Sequence, residues 1–315
     1  MRPELAQAVD LLRNNTPEAV GEAIGLLQNT VYSFSMKLCG HREDAEDTTQ
    51  EVLYRSLRHL SRIDEPRALA VWLYTVTRNR CWRMRKTGRH GAKQVLSLED
   101  LLPGEAELVR LREHTASGPE GAVLRSEQRG FVQEAVQRLP PQLRIVLVLH
   151  DMEDLDTADV AKVLDLEPGT VRVRLHRARL TVRRELSRML EATVGQGQAA
   201  RDRAAKDRAT AGKKPRRTRR KNPRAAADCR TLFANLSEYL DGRMEPRTCE
   251  QMSHHIDACP SCIAFIHDLR AAIDRCRALK ADCDPVMAER MRSVLTREYR
   301  RLLEVPIPEK IRAKV

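Results

Sequence analysis

The residues best equipped for chemistry lie near the C-terminus. His255, Cys259 and Cys262 follow the pattern H-x3-C-x2-C, which at a helix end or turn gathers one imidazole and two thiols on one side. Such soft and borderline donors suit a tetrahedral zinc ion and leave one corner to fill. Cys229, at the start of the preceding helix, is the best fourth ligand. Cys249 and His254 are alternatives, and a reduced, metal-free helical hairpin is the competing reading. Four protein ligands would close the coordination sphere, so zinc is expected as a structural cofactor; a redox response stays open, because thiolates can oxidise and release the metal. Of the eight cysteines, six follow residue 228 (Cys229, Cys249, Cys259, Cys262, Cys276 and Cys283), which marks a separate C-terminal unit. The sequence carries no phosphate-binding glycine loop, nucleophile elbow or metalloprotease motif, so it does not read as an enzyme and no catalytic residue is assigned.

A second constellation suits nucleic acid. Residues 156–164 read as a helix with an acidic first turn, Asp165-Leu166-Glu167 as a tight turn, and Pro168-Gly169-Thr170-Val171 as the start of a second helix. Asp165 tolerates the left-handed conformation that such a turn needs. Ala161 is small where two helices cross, and Val171 is its matching contact. On the second helix Val171, Leu175, Ala178 and Val182 form an apolar face, while Arg172, Arg174, His176, Arg177 and Arg179 occupy the others. Guanidinium forks on such a helix reach guanine edges and phosphates in a major groove. A solvated basic face on an ordinary helix pair is the alternative.

Nearer the N-terminus, Asp44, Asp47, Gln50 and Glu51 lie three or four apart and share one helix face, opposite Val52, Leu53 and Leu57. That face could pair with a basic partner or simply be solvated. Downstream, Trp72 and Tyr74 precede Arg78, Asn79, Arg80, Trp82, Arg83 and Arg85. Ring faces interleaved with cations can stack unpaired bases and hold their backbone, although Trp72 fits a core position equally well.

The elements that must carry these residues read as helices. Val20, Ile24, Leu27, Val31, Phe34 and Leu38 make one amphipathic stripe, opened by Thr16-Pro17-Glu18 and broken at Cys39-Gly40-His41. A second helix begins near Asp44 and a third runs from about Arg67 to Arg85. Residues 88–120 lose periodicity and read as a linker in which 97–102 could dock or turn. Helical periodicity returns from Val123 to Glu191. Residues 195–226 hold almost no large apolar side chains and read as disordered, with a basic core at 213–221; a solvated tether and a non-specific DNA clamp are both open. A last amphipathic helix carries Met287, Met291, Leu295 and Leu302. With 315 residues, 3% aromatics, 32% charged residues and a net charge of +12, the chain suits several small helical domains and an acidic partner. No run of eighteen apolar residues or signal-like N-terminus occurs, so a cytoplasmic protein without membrane contact is expected.

The segment 169–179, Gly-Thr-Val-Arg-Val-Arg-Leu-His-Arg-Ala-Arg, resembles region four of extracytoplasmic-function sigma factors, and Arg138-Leu139-Pro140-Pro141-Gln142-Leu143-Arg144 resembles the opening of that region. Independently, 44–52 resembles the region-two helix that binds the polymerase clamp, and 72–80 the promoter-melting helix that follows it. The stretch from Cys229 through Leu236-Ser237-Glu238-Tyr239-Leu240-Asp241-Gly242 to Cys262 resembles zinc-binding anti-sigma factors.

The resemblance implies an all-α chain divided as 1–91 (region two), 92–122 (linker), 123–193 (region-four helix-turn-helix), 194–227 (basic linker), 228–278 (zinc-binding anti-sigma-like domain) and 279–315 (C-terminal helix and tail). It implies core RNA polymerase, through clamp and flap, and promoter DNA as partners of a chain that is monomeric when free. Asp44, Asp47, Gln50 and Glu51 would bind polymerase. Trp72, Tyr74, Arg78, Asn79, Arg80, Trp82 and Arg83 would serve the melted minus-ten element, with the loop 62–68 holding a flipped base. Thr170, Arg172, Val173, Arg174, His176 and Arg177 would read the minus-thirty-five element. Val173 departs from the small polar residue usual there, which favours an apolar contact such as a thymine methyl. The third domain would act in cis by contacting the sigma domains. The alternative is a helix-turn-helix regulator that never engages core polymerase.

Overall fold

The computed structural model describes residues 2–14, 16–60, 63–86, 97–103, 107, 125–206, 233 and 236–304. They are helical, with no strand among them: α1 (Pro3–Asn14), α2 (Pro17–Cys39), α3 (Arg42–Leu60), α4 (Pro66–Lys86), α5 (Leu98–Leu101), α6 (Arg125–Arg138), α7 (Pro141–Leu147), a π-helical turn (Val148–Met152), α8 (Thr157–Leu164), α9 (Pro168–Lys206), α10 (Leu236–Leu240), α11 (Pro246–Ala258), α12 (Pro260–Arg277) and α13 (Pro285–Glu304). Among the described residues no helix is long and apolar enough to cross a membrane.

Local chemistry sets the helix ends. The Thr16 side chain accepts from the Ala19 amide at 3.2 Å, Pro17 follows, and Gly40 closes α2 in the left-handed region at φ 79° with its amide on Met36 O. A residue with a Cβ would be strained at that φ. Asp156 caps α8 through the Asp159 amide, and Asp165 adopts φ 55°, as expected of the turn. Ser97 and Asp100 form a reciprocal capping box at α5.

The chain divides into two compact units: Met1–Ala92 with Arg144–Val171 and Leu279–Val315, and Lys93–Leu143 with Arg172–Ala278. The division falls inside the stretch 123–193 that the sequence groups as one domain. In the first unit α2 packs against α1, α3 and α4, α8 against α4, and α13 against α2 and α3. Leu5, Ile24, Leu27, Phe34, Leu53, Leu60, Leu69 and Tyr74 are fully buried there. The C-terminal helix, which the sequence sets apart as a tail segment, is thus part of this bundle. In the second unit Leu101, Leu180, Phe233, Leu236, Met252, Cys262, Phe265, Ile266, Leu269 and Ile273 form one apolar cluster. The 97–102 stretch therefore docks, through Leu101. Arg183, buried, pairs with Glu107 and Asp268 and lies over the Phe265 ring at 4.4 Å.

The backbone stays helical to Lys206, whereas the sequence reads a linker from 194. The Ala, Gln and Arg residues that fill 198–206 are strong helix formers, and they propagate a helix already nucleated by packing. The basic core 213–221 lies outside the described residues.

Candidate functional site

The acidic face of α3 forms as its spacing predicts. Asp47 and Gln50 are exposed, while Asp44 and Glu51 are half-buried. Glu51 is not idle: it pairs with Arg55 at 2.8 Å on its own helix and with Arg80 of α4 at 2.5 Å. A groove runs along this face, with Asp47, Gln50, Glu51, Tyr54 and Arg80 on one wall and Met287, Arg290, Met291, Val294 and Leu295 of α13 on the other. Leu295 and Met291 are buried. The sequence shows the apolar stripe of α13 but not the surface it meets.

On α4 the expected stacking surface is only partly assembled. Tyr74 is buried, edge-on to Phe34 at 4.8 Å between centroids, and donates its hydroxyl to Glu153 at 2.8 Å. It cannot stack a base, which corrects the sequence expectation. The reason is helical: positions two apart point to different faces, so Trp72 and Tyr74 never shared one. Trp72 is half-buried against His59, whereas Trp82, Arg83 and Asn79 are exposed. Arg78 is half-buried, donating to Val163 O at 2.5 Å. Arg62 and the side chain of Arg85 lie outside the described residues.

Sequence reasoning missed a buried charged centre. Glu153, wholly inaccessible, accepts from Lys37 Nζ at 2.8 Å, Arg2 Nε at 2.7 Å and Tyr74. Burial lowers the Lys37 pKa and the Glu153 charge opposes that shift. Burial, and then the Glu153 charge, raises the Tyr74 pKa well above its ordinary value. Around this centre Arg144 donates to Leu38 O at 2.9 Å, and Arg67 pairs with Asp156 and Asp159. Each bond ties the 144–171 segment to α2, to α4 or to Arg2 just before α1. The partners are far apart in the chain (Lys37 and Glu153 by 116 positions), so no local pattern announces them.

The helix-turn-helix signature is borne out in its backbone and its apolar face: Ala161, Val171, Leu175, Ala178 and Val182 are all buried. The basic positions of α9 divide into two groups. Thr170, Arg172 and Val173 are exposed, and Arg174 and Arg177 are half-buried. His176 is buried instead, with Nδ1 at 2.9 Å from Ser237 Oγ, and its pKa is lowered to about 4 by burial, then by Arg179 and Arg177. Arg179, also buried, donates Nη1 and Nη2 to the two carboxylate oxygens of Asp241 at 3.0 and 2.8 Å, and Nη1 to Ser237 O at 3.4 Å. Arg172 lies 3.7 Å from Glu238. Three residues of α10 and its C-terminal turn therefore occupy the side of α9 that carries His176 and Arg179.

In the same unit His255, Cys259 and Cys262 place their donor atoms within 4.8 Å of one another, with Cys262 Sγ 3.5 Å from His255 Nε2. Cys259 caps the junction of α11 and α12, which brings the last turn of one helix against the first turn of the next. Cys229 lies outside the described residues. Cys249 and His254 are not in the cluster.

Three family models match the chain: "Sigma-70 region 2" over residues 24–90, "Sigma-70, region 4" over 132–191 and "Putative zinc-finger" over 229–262. The ECF RNA polymerase sigma factor SigW of Bacillus subtilis is 25% identical over 59% of this chain and 98% of its own length. The ECF RNA polymerase sigma factor SigE of Mycolicibacterium smegmatis is 31% identical over 50% of this chain and 58% of its own. A solved complex of the sigma factor RpoE with the anti-sigma factor NepR from Bartonella quintana is 20% identical, covering 51% of this chain and 92% of that one, with a TM-score of 0.36.

Proposed function

The chain belongs to the sigma-70 family as a sigma factor of the extracytoplasmic-function type, and we propose that its C-terminal segment restrains its promoter- and polymerase-binding surfaces in cis. As a sigma factor it directs core RNA polymerase to promoters and helps open them. In this reading Asp44, Asp47, Gln50 and Glu51 meet the polymerase clamp. Trp72, Arg78, Asn79, Arg80, Trp82 and Arg83 hold melted minus-ten DNA. Thr170, Arg172, Val173, Arg174 and Arg177 read the minus-thirty-five element.

The observation that carries cis inhibition is the Asp241 carboxylate on Arg179, flanked by Ser237 on His176 and Glu238 on Arg172. A guanidinium held by a carboxylate fork is unavailable to phosphate or guanine. The α13 helix along the acidic face of α3 supports the same reading for the clamp surface. Run-off transcription with core polymerase tests it: a chain ending at 227 should give more transcript than the full chain. No change, or a loss, rejects inhibition.

We further assign zinc to His255, Cys259 and Cys262, with Cys229 as fourth ligand. In a tetrahedral site with Zn–S of about 2.3 Å and Zn–N of about 2.0 Å, sulfur and nitrogen donors stand roughly 3.5 Å apart, and the Cys262–His255 separation of 3.5 Å fits that spacing. When bound, the ion would cross-link the preceding segment to the α11–α12 junction. Cys262, buried in the apolar cluster, would anchor it.

A further inference from the structure

Two cysteines stand apart from the His/Cys cluster. Cys39 ends α2 and Cys81 lies in the last part of α4, and their Sγ atoms are 3.2 Å apart. They are 42 positions apart in the chain, so the packing of α2 against α4 is what brings them together. Their roles are independent of both the proposed inhibition and the zinc assignment.

A disulfide needs an S–S distance of about 2.05 Å. Closing from 3.2 Å therefore takes roughly 1.2 Å of sulfur movement, within reach of small rotations about the two Cα–Cβ bonds. The backbone that presents Cys39 is fixed on both sides. Gly40 caps the helix through Met36 O, and Leu38 O is held by the buried Arg144 guanidinium at 2.9 Å. That cation also opposes the negative end of the α2 dipole, which would otherwise disfavour a thiolate at a helix C-terminus. Cys39 is partly exposed, and Cys81 is buried. Cys39 is thus the more accessible of the two, and Cys81 lies beside it.

We propose that Cys39 and Cys81 form a reversible disulfide with a hydroperoxide-class oxidant, making region two itself a thiol modification site. The Cys39 thiolate attacks the terminal peroxide oxygen and breaks the O–O bond, becoming the sulfenic acid; the leaving hydroxide, or alkoxide from an alkyl hydroperoxide, takes up a proton as water or alcohol. The Cys81 sulfur then displaces the sulfenic oxygen, its own proton leaving with that oxygen as water. Two electrons pass from the thiols to the peroxide, and a dithiol reductant returns them. The product ties the end of α2 to the promoter-facing helix between Arg80 and Trp82.

Peptide mapping of the full chain tests this. After hydrogen peroxide and then iodoacetamide, non-reducing trypsin digestion should yield fragment 38–42 linked to fragment 81–83. The linked pair should vanish on dithiothreitol treatment and be absent from Cys39→Ser and Cys81→Ser chains. The oxidised wild type should melt several degrees higher than either serine variant treated identically, a shift that oxidation of the His/Cys cluster does not predict. Three results overturn the proposal: full alkylation of Cys39 and Cys81 at peroxide concentrations that already oxidise Cys259 and Cys262, capture of Cys39 by Cys283, or a linked pair that persists when Cys81 is serine.

Discussion

Replacing Asp241 with alanine in the otherwise intact chain isolates the contact on which cis inhibition rests. Arg179 is fully buried, and the side chain of Asp241 is 16% exposed. Removing the carboxylate leaves the buried guanidinium without its two-oxygen partner, and the Ser237 O contact at 3.4 Å is too long to replace it. Breaking one partner of a buried ion pair costs about 3–5 kcal/mol. The partial exposure of Asp241 reduces that to roughly 2–4 kcal/mol. Leu180, Phe233 and Leu236 still hold the segment through apolar contacts, so the fold survives and the penalty falls on docking. A shift of that size multiplies the undocked population by roughly 30 to 900.

Amide exchange read at α10 and along residues 171–186 should therefore accelerate, while exchange in α2 and α3 stays unchanged. Affinity for minus-thirty-five duplex, measured at fixed salt because phosphate contacts make it salt-dependent, should rise together with run-off transcription. If exchange at α10 accelerates and neither DNA affinity nor transcription moves, the Asp241 contact is packing and the inhibitory reading fails.

Acidification should weaken the same contact through His176. Its pKa is about 4 when docked against about 6.5 when released, so its share of docking stability is complete above pH 6.5 and lost as pH falls toward 4; from pH 7 to pH 5 that loss is about 2 kcal/mol, roughly 20-fold in opening, and a His176→Gln chain should show no such slope in amide exchange. Glu153→Ala removes the carboxylate that faces the buried Lys37 ammonium and should lower stability by about 3–5 kcal/mol in urea unfolding; a loss under 1 kcal/mol would mean water replaces the carboxylate. Leu295→Ala should cost about 2–4 kcal/mol locally, seen as faster exchange in α13, and should increase capture of core polymerase. Chelation of zinc at neutral pH, or Cys262→Ser, should remove helical circular-dichroism signal from α11 and α12, whereas an unchanged spectrum rejects a structural metal.

What the sequence revealed is what short-range chemistry determines. The Thr16 and Asp156 caps, the left-handed Asp165, the apolar face Val171–Leu175–Ala178–Val182 and the H-x3-C-x2-C spacing each need only neighbours within a few residues. Tyr74 lies on a different face from Trp72, because a two-residue step on a helix turns through about 200°. His176 and Arg179 are of a type that suits DNA, and residue type alone does not reveal that α10 covers them. Ser237 and Asp241 stood in a recognised motif, yet nothing in that motif names the helix they grip. Glu153 gave no sign at all, since an acid between Met152 and Asp154 looks solvated until Lys37, Tyr74 and Arg2 arrive from elsewhere in the chain.

The Glu153 centre also bears on what the sigma factor must do to work. Here α8, the first helix of the helix-turn-helix, packs on α4, with Arg67 on Asp156 and Asp159 and Arg78 on Val163 O. On the proposed assignment α4 and the helix-turn-helix serve separate promoter elements, so reading both would require the 144–171 segment to leave α4. A purely apolar seam would resist that departure in proportion to its area. An ionic seam behaves differently: its geometry fixes one register tightly, yet on opening Lys37, Arg2 and Glu153 regain water, which offsets most of the Coulomb attraction lost. On that assignment the buried charges make the closed arrangement specific without making it irreversible.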